Sequence, residues 1–257
     1  MQDLKIATIQ SDLYWENIAK NIAQFEDKID LINSEIDVII LPEMFTTGFS
    51  MKSKILAEKM DGKTVDWMQK MAIKKQVCIL GSIIIEENKK YYNRLICVFK
   101  NGEILHYDKR HLFTFGDEHN HFSAGENRLV FELKGWKICP LICYDLRFPV
   151  WSRNTEDIDL YIYTANWPEV RIPVWDTLLR ARSIENVSYV IGVNRIGVDG
   201  TDKKYSGNSV VLDFKGDSIL DFPKNENFTG IVSLTKSNLM KFREKFPALK
   251  DGDKFQI

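Results

Sequence analysis

Short runs of β-branched and aliphatic residues alternate along the chain with stretches whose apolar positions recur every three or four residues. "LKIATIQ" (4–10) has the pattern of a buried strand, and Ile18, Ile22, Phe25, Ile29 and Ile32 then follow the period of an amphipathic helix. "DVIILP" (37–42) predicts a strand covered on both faces and stopped by Pro42, which leaves Glu43 just beyond its end. Val65, Met68 and Ala72 mark a second helix. "VCILGSIII" (77–85) and "YYNRLICVF" (91–99) follow as neighbouring strands, and Asn101-Gly102 turns the chain into "EILHYD" (103–108), which ends at Lys109. A polar loop over 113–127 precedes "LVFEL", a Lys134-Gly135 turn and "WKICPLICY".

The second half repeats the alternation. "DLYIYTAN" (159–166) predicts a buried strand, and "VWDTLLRARSIENV" (174–187) a helix with Leu178, Ala181 and Ile184 turned inward. "YVIGVNRIG" (189–197), "NSVVLDFKGDSIL" (208–220, with an internal Lys-Gly turn) and "GIVSLT" (230–235) complete the strand set, and a basic helix covers 236–246. No repeat, low-complexity tract or long linker divides the sequence, so one α/β domain over 1–257 is expected, with two sheets faced by helices.

Composition narrows the function. With 257 residues, 44% of them hydrophobic, the chain can fill one large core. Lys plus Arg number 35 against 36 for Asp plus Glu, so no net field favours nucleic acid or an anionic membrane, and the expected partner is a small molecule or another protein. "MQDLKIATIQSDLYWEN" lacks a basic segment followed by an apolar one, and no apolar run approaches the roughly 18 residues that span a bilayer. A cytoplasmic protein is expected. Cys78, Cys97, Cys139 and Cys143 lie in apolar segments without a CxxC pair, which predicts reduced thiols. Cys139 and Cys143 would share one strand face, too far apart to bond.

Glu43, Lys109 and Cys143 each follow an apolar strand, and the carboxyl ends of strands are where α/β proteins gather their chemistry. The three types make sense together. A thiol attacks a carbonyl carbon once it loses its proton, a carboxylate takes that proton and hands it to a leaving amine, and an ammonium stabilises the negative oxygen of the intermediate. Taken singly, each has a bland explanation: a small core thiol, a surface acid after proline and a solvated lysine.

Five segments, "LPEMFTTGF" (41–49), "YDKRHLF" (107–113), "PLICYDLRFPVWSRN" (140–154), "ANWP" (165–168) and "ARSIENVSYVIGVNRIG" (181–197), decide between the two. In this order across almost the whole chain, they resemble the nitrilase, or carbon–nitrogen hydrolase, superfamily, and within it most closely the omega-amidases that act on 2-oxoglutaramate and 2-oxosuccinamate. The resemblance implies a four-layer αββα sandwich, a homodimer packed through helices, no cofactor, and catalytic residues at Glu43, Lys109 and Cys143. It adds a second glutamate in the loop after the lysine, placed at Glu118 in "GDEHNHFSAG", where it would orient Lys109 and the substrate amide.

The implied chemistry is amide hydrolysis through a thioester. Glu43 deprotonates Cys143, Lys109 and the backbone N–H of Tyr144 hold the oxyanion, and Glu43 then activates water. Arg147 is the candidate for a substrate carboxylate, or equally a structural partner of Asp145 or a neighbouring carboxylate. Phe45, Tyr144 and Trp167 are candidate pocket walls beside the strand ends. Three other readings stay open. His106, His111, His119 and His121 cluster, and His119-x-His121 could supply two metal ligands, although the spacing matches no recognised zinc form. The fold could serve a dimeric binding or scaffold role without chemistry. The same hydrolase could act on an N-carbamoyl amine, an aliphatic amide or a nitrile.

Overall fold

The computed structural model describes residues 2–253. In chain order the elements are β1 (Leu4–Gln10), α1 (Ile18–Asp30), β2 (Val38–Ile40), α2 (Ser53–Leu56), α3 (Lys63–Lys75), β3 (Cys78–Glu87), β4 (Lys90–Val98) and β5 (Ile104–Asp108). They continue with β6 (Phe131–Leu133), β7 (Trp136–Ile142), β8 (Leu160–Ala165), α4 (Ile172–Asn186), β9 (Tyr189–Asn194), β10 (Ile196–Val198) and β11 (Lys204–Ser206). Last come β12 (Val210–Leu212), β13 (Ser218–Asp221), β14 (Phe228–Leu234) and α5 (Lys236–Lys245).

The strands form two six-stranded sheets, in the orders β14-β1-β2-β3-β4-β5 and β13-β12-β9-β8-β7-β6, beside the two-stranded β10-β11 hairpin. Alternation along the strands builds the layers. Leu4, Ile6, Val38, Ile40 and Leu80 of the first sheet share a buried cluster with Ile138, Leu141 and Ile162 of the second. The intervening residues Ala7, Ile9, Ile39, Leu41 and Ile79 turn to the opposite face, where Phe25 and Ile29 of α1 and Val65, Met68 and Ala72 of α3 cover them. On the far side, α4 lays Trp175 and Leu179 against Gly192 of β9, where a Cβ would stand 2.4 Å from the Leu179 side chain. The result is the expected four-layer αββα sandwich.

Two sequence expectations change. The buried face of α4 is Ile172, Trp175, Leu179, Arg182, Ser183 and Asn186, whereas Leu178 and Ala181 are half-buried and Ile184 is exposed. The C-terminal half of the inward stripe is polar, with Arg182, Ser183 and Asn186 hydrogen-bonded to backbone, so apolar periodicity there points to the wrong side. The segment 189–197 is also not one strand. β9 stops at Asn194, whose side chain bonds the backbone of Trp167 and Gly207, and Ile196–Val198 leaves the sheet to pair with Lys204–Ser206.

Topology brings the strand ends together. β2 runs parallel to β1 and β3, and β5 regains that direction through two antiparallel steps, so Glu43 and Lys109 emerge at one edge of the first sheet. β7, β8 and β9 are mutually parallel, and Cys143 and Asn166 emerge at the corresponding edge of the second. α5 sits at the opposite end, where Arg243 bonds Asp159 and the Ile158 carbonyl just before β8.

Candidate active site

The candidate nucleophile, Cys143, stands on a strained turn. β7 ends at Ile142, and Cys143 begins a short 3₁₀ turn with φ +45°, a left-handed conformation that a non-glycine residue adopts only when its surroundings hold it there. Asp145 supplies part of that hold: Oδ2 accepts from the Ile142 N–H at 3.0 Å and from the Tyr107 hydroxyl at 2.7 Å, and Oδ1 accepts from the His111 N–H at 3.0 Å. His111 Nδ1 lies 2.8 Å from Asp145 Oδ1, with its ring stacked on Phe148. Arg182 of α4 closes the turn by donating Nε and Nη2 to the Leu146 carbonyl at 3.1 and 2.6 Å.

Glu43 follows β2 on a second constrained turn. Met44 has φ +42°, its N–H donates to Ser82 Oγ at 2.8 Å, and the Phe45 N–H donates to the Ser82 carbonyl. The buried Glu43 carboxylate accepts on Oε1 from Asn93 Nδ2 at 2.8 Å and Lys109 Nζ at 3.0 Å, and on Oε2 from the Asn166 N–H at 2.7 Å. A carboxylate has about four lone-pair sites, so one remains to receive a proton.

Lys109 Nζ sits between two acids, donating to Glu43 and, at 3.0 and 2.9 Å, to both oxygens of Glu118. Glu118 is itself buried in the loop after Lys109 and accepts from the Phe113 N–H at 2.6 Å. Burial opposes the charge on Lys109, but Glu118, Glu43 and Cys143 outweigh it and hold the ammonium protonated well above its usual range. Burial and the Glu43 charge push the Cys143 thiol well above its ordinary value, against the pull of Lys109. Burial thus favours the neutral thiol at Cys143, beside the Glu43 side chain.

A cleft opens over these groups, with an empty volume of about 640 Å³, open solvent at its mouth included. Lys109, Cys143 and Asn166 form its floor, and Tyr144, Phe113 and Trp167 part of its walls. Tyr144 packs edge-on between Phe113 and Phe148, and Trp167 is fixed by its indole N–H bond to the Arg171 carbonyl at 2.8 Å. Arg147, Arg171 and Lys203 also line the cleft, and none of the three forms an ion pair among the described residues.

Glu43, Lys109, Cys143 and Glu118 thus converge, with Tyr144, Arg147 and Trp167 around them. Phe45 does not join them. Its ring turns into the core under the first sheet, 5.4 Å from Phe25 and 6.0 Å from Trp67, in space left by Gly81, where a Cβ would stand 2.9 Å from it. Strand alternation would put residues two apart on one face, but Glu43 and Phe45 lie in the turn beyond β2, and the positive φ of Met44 between them breaks that pattern. Arg147 does not pair with Asp145, whose oxygens are taken by Tyr107, His111 and Ile142. His119 is exposed and His121 Nε2 meets Asp117 at 3.0 Å; no metal-like cluster of three His, Cys, Asp or Glu occurs among the described residues. Sequence reasoning missed Asn93, Asn166, Arg171 and Lys203. The available signal for Asn166 is its place in "ANWP", directly after the β8 strand end.

Comparison with known proteins agrees with this geometry. The family model described as carbon-nitrogen hydrolase matches residues 5–244. An omega-amidase, YafV, of Yersinia enterocolitica is 43% identical over 257 residues, covering 100% of both chains. A 2-oxoglutaramate amidase of Bacillus subtilis is 34% identical over 253 residues, covering 96% of each. Among solved structures, XC1258 of Xanthomonas campestris, a CN-hydrolase superfamily protein with an arsenic adduct in its active site, superposes with a TM-score of 0.98 at 41% identity and full coverage of both chains.

Proposed function

Because the chain belongs to the carbon–nitrogen hydrolase family and is an amide hydrolase with a Glu–Lys–Cys triad, we propose that it is an omega-amidase. It releases ammonia from the terminal amide of 2-oxoglutaramate or 2-oxosuccinamate and leaves the 2-oxo dicarboxylate. The observation that carries this reading is the set of unpaired cations, Arg147, Arg171 and Lys203, on the same cleft as Cys143. A 2-oxo acid amide carries a carboxylate at the end remote from the reacting amide, and guanidinium groups bind carboxylates well. The omega-amidase and 2-oxoglutaramate amidase names of the relatives support the same substrate class.

The amide carbonyl enters with its oxygen towards Lys109 Nζ and the N–H of Tyr144, the second residue of the 3₁₀ turn that Cys143 begins, where backbone N–H groups have no partner within the turn. Cys143 Sγ attacks the carbon as its proton passes to Glu43. Lys109 stays charged throughout, because two acids flank it, and so meets the oxyanion as a cation. Ammonia leaves with the proton from Glu43, the thioester forms, and the freed carboxylate activates water to release the acid. Glu118 keeps Lys109 aimed at the carbonyl oxygen. The reading includes a homodimer packed through helices and a cytosolic setting, the latter in keeping with four unpaired thiols.

Ammonia release from 2-oxoglutaramate, set beside glutamine, a neutral aliphatic amide and an N-carbamoyl amine, tests the proposal, with Cys143→Ala as the blank. A strong preference for the keto-acid amide is expected. Faster turnover of a neutral amide or a carbamoyl amine would reject the omega-amidase assignment, and sedimentation of the same protein as a monomer would reject the homodimer.

A further inference from the structure

Asn166 carries chemistry that the triad leaves open. Its Nδ2 donates to the Glu43 carbonyl oxygen at 2.6 Å, and its backbone N–H donates to Glu43 Oε2 at 2.7 Å. A carbonyl only accepts, so the first bond sets the orientation of the side-chain amide: the nitrogen faces Glu43 and the oxygen faces away. That Oδ1 is buried and has no hydrogen-bond partner among the described residues, while Asn166 itself lines the cleft beside Lys109 and Cys143. Leaving a buried acceptor unpaired costs on the order of 1–3 kcal/mol. In a catalytic cleft, the group that can repay that cost is a donor brought by the substrate.

The substrate has one. When the amide oxygen lies towards Lys109 and the Tyr144 N–H, the NH₂ group points to the other side of the reacting carbon, with two N–H donors and no other assigned acceptor. We propose that Asn166 Oδ1 accepts a hydrogen bond from the substrate's amide nitrogen and holds it beside Glu43. In the collapse of the tetrahedral intermediate, the proton that Glu43 took from Cys143 moves to this nitrogen. The C–N electron pair stays with nitrogen, the oxyanion re-forms the carbonyl of the thioester, and ammonia departs. An acceptor on one N–H directs the nitrogen lone pair away from Asn166 and towards the acid that must protonate it. Asn166 is thereby a catalytic residue for the leaving group, in addition to tethering Glu43.

Asn93 supplies the contrast. It also bonds Glu43 and also has an unpaired Oδ1, but it does not line the cleft. It positions the base without reaching the substrate.

The inference rests on the amide-hydrolase reading but not on the choice of 2-oxo acid amide. Its test therefore uses whichever primary amide the wild-type enzyme hydrolyses fastest, together with the methyl ester of the same acid. The ester passes through the same thioester and the same triad, but its leaving group has no N–H. kcat/KM, which reports the steps up to acylation, is measured on both for wild type, Asn166→Ala, Asn166→Ser and Asn93→Ala, with circular dichroism and melting to verify folding. The expected result is a loss at Asn166 at least about tenfold greater for the amide than for the ester, a gap of about 1.4 kcal/mol, and equal losses on both for Asn93→Ala. Asn166→Ser, the smaller change, gives the ratio if the alanine variant does not fold. Equal losses for amide and ester at Asn166, or a greater loss for the ester, would overturn the proposal.

Discussion

The Tyr107 hydroxyl donates to Asp145 Oδ2 at 2.7 Å, joining the strand that leads to Lys109 to the turn that presents Cys143. Tyr107 also receives the Trp151 indole N–H at 3.0 Å and the Arg110 N–H at 3.1 Å, so this phenol is a junction between the two sheets at the reactive edge. Cation and nucleophile are held at a fixed separation by a bond that touches neither.

Tyr107→Phe should accordingly destabilise the fold by about 2 kcal/mol, since it leaves buried polar groups short of a partner, and should also lower kcat. Chemical denaturation and steady-state kinetics measure the two effects. A normal kcat in a destabilised variant would show that the junction supports the fold alone.

Glu118→Gln removes the acid that grips Lys109 through both oxygens while leaving the bond to Glu43. The loss belongs to the transition state, so kcat should fall on the order of 100-fold with KM nearly unchanged. A rise in KM at constant kcat would instead assign Glu118 to substrate binding.

Arg147→Lys and Arg171→Lys test the proposed carboxylate end of the cleft. Each should raise KM for a 2-oxo acid amide by on the order of tenfold, as expected for a weakened charged hydrogen bond, while KM for a neutral amide changes little. Parallel changes on both substrates would remove that residue from the carboxylate site.

The buried thiols make stability fall with alkaline pH. Burial pushes Cys78 and Cys139 each up to about 12, and Cys97 and Cys143 are also raised, whereas an unfolded thiol titrates near 8.5. The unfolded chain therefore sheds these protons first. Stability is fully present below about pH 8.5 and declines as pH rises from there towards 12. Melting temperatures between pH 7 and 10.5 should show this decline, and Cys78→Ala should flatten it; an unchanged slope in that variant would exclude the Cys78 contribution. The buried tyrosines Tyr107, Tyr161 and Tyr163, raised in the same way, extend the effect above pH 10.

Much of the architecture was legible because burial leaves a periodic trace. The strands around residues 4–10, 77–85, 91–99 and 159–166 and the helix through Phe25 and Ile29 all lie where the apolar spacing puts them. The signal failed where a polar residue is buried for its hydrogen bonds. Arg182 and Asn186 occupy the inner face of α4, and a pattern that sorts residues by hydrophobicity assigns that face to Ile184. It failed again at Phe45, because the direction of a side chain after a turn depends on a backbone angle, here the positive φ of Met44, that composition does not encode.

The chemistry divides along the same line. The sequence by itself determined which reactive groups the protein has and that Glu43, Lys109 and Cys143 each follow an apolar strand, since strand ends and residue types are local properties. Only the tertiary structure decided that those ends meet, that Lys109 lies between two acids, that Arg147 is free of Asp145, and that Asn93 and Asn166 grip the base. Those relations join residues 50, 66 and 123 positions apart in the chain, and they arise from strand order and sheet stacking rather than from any local pattern.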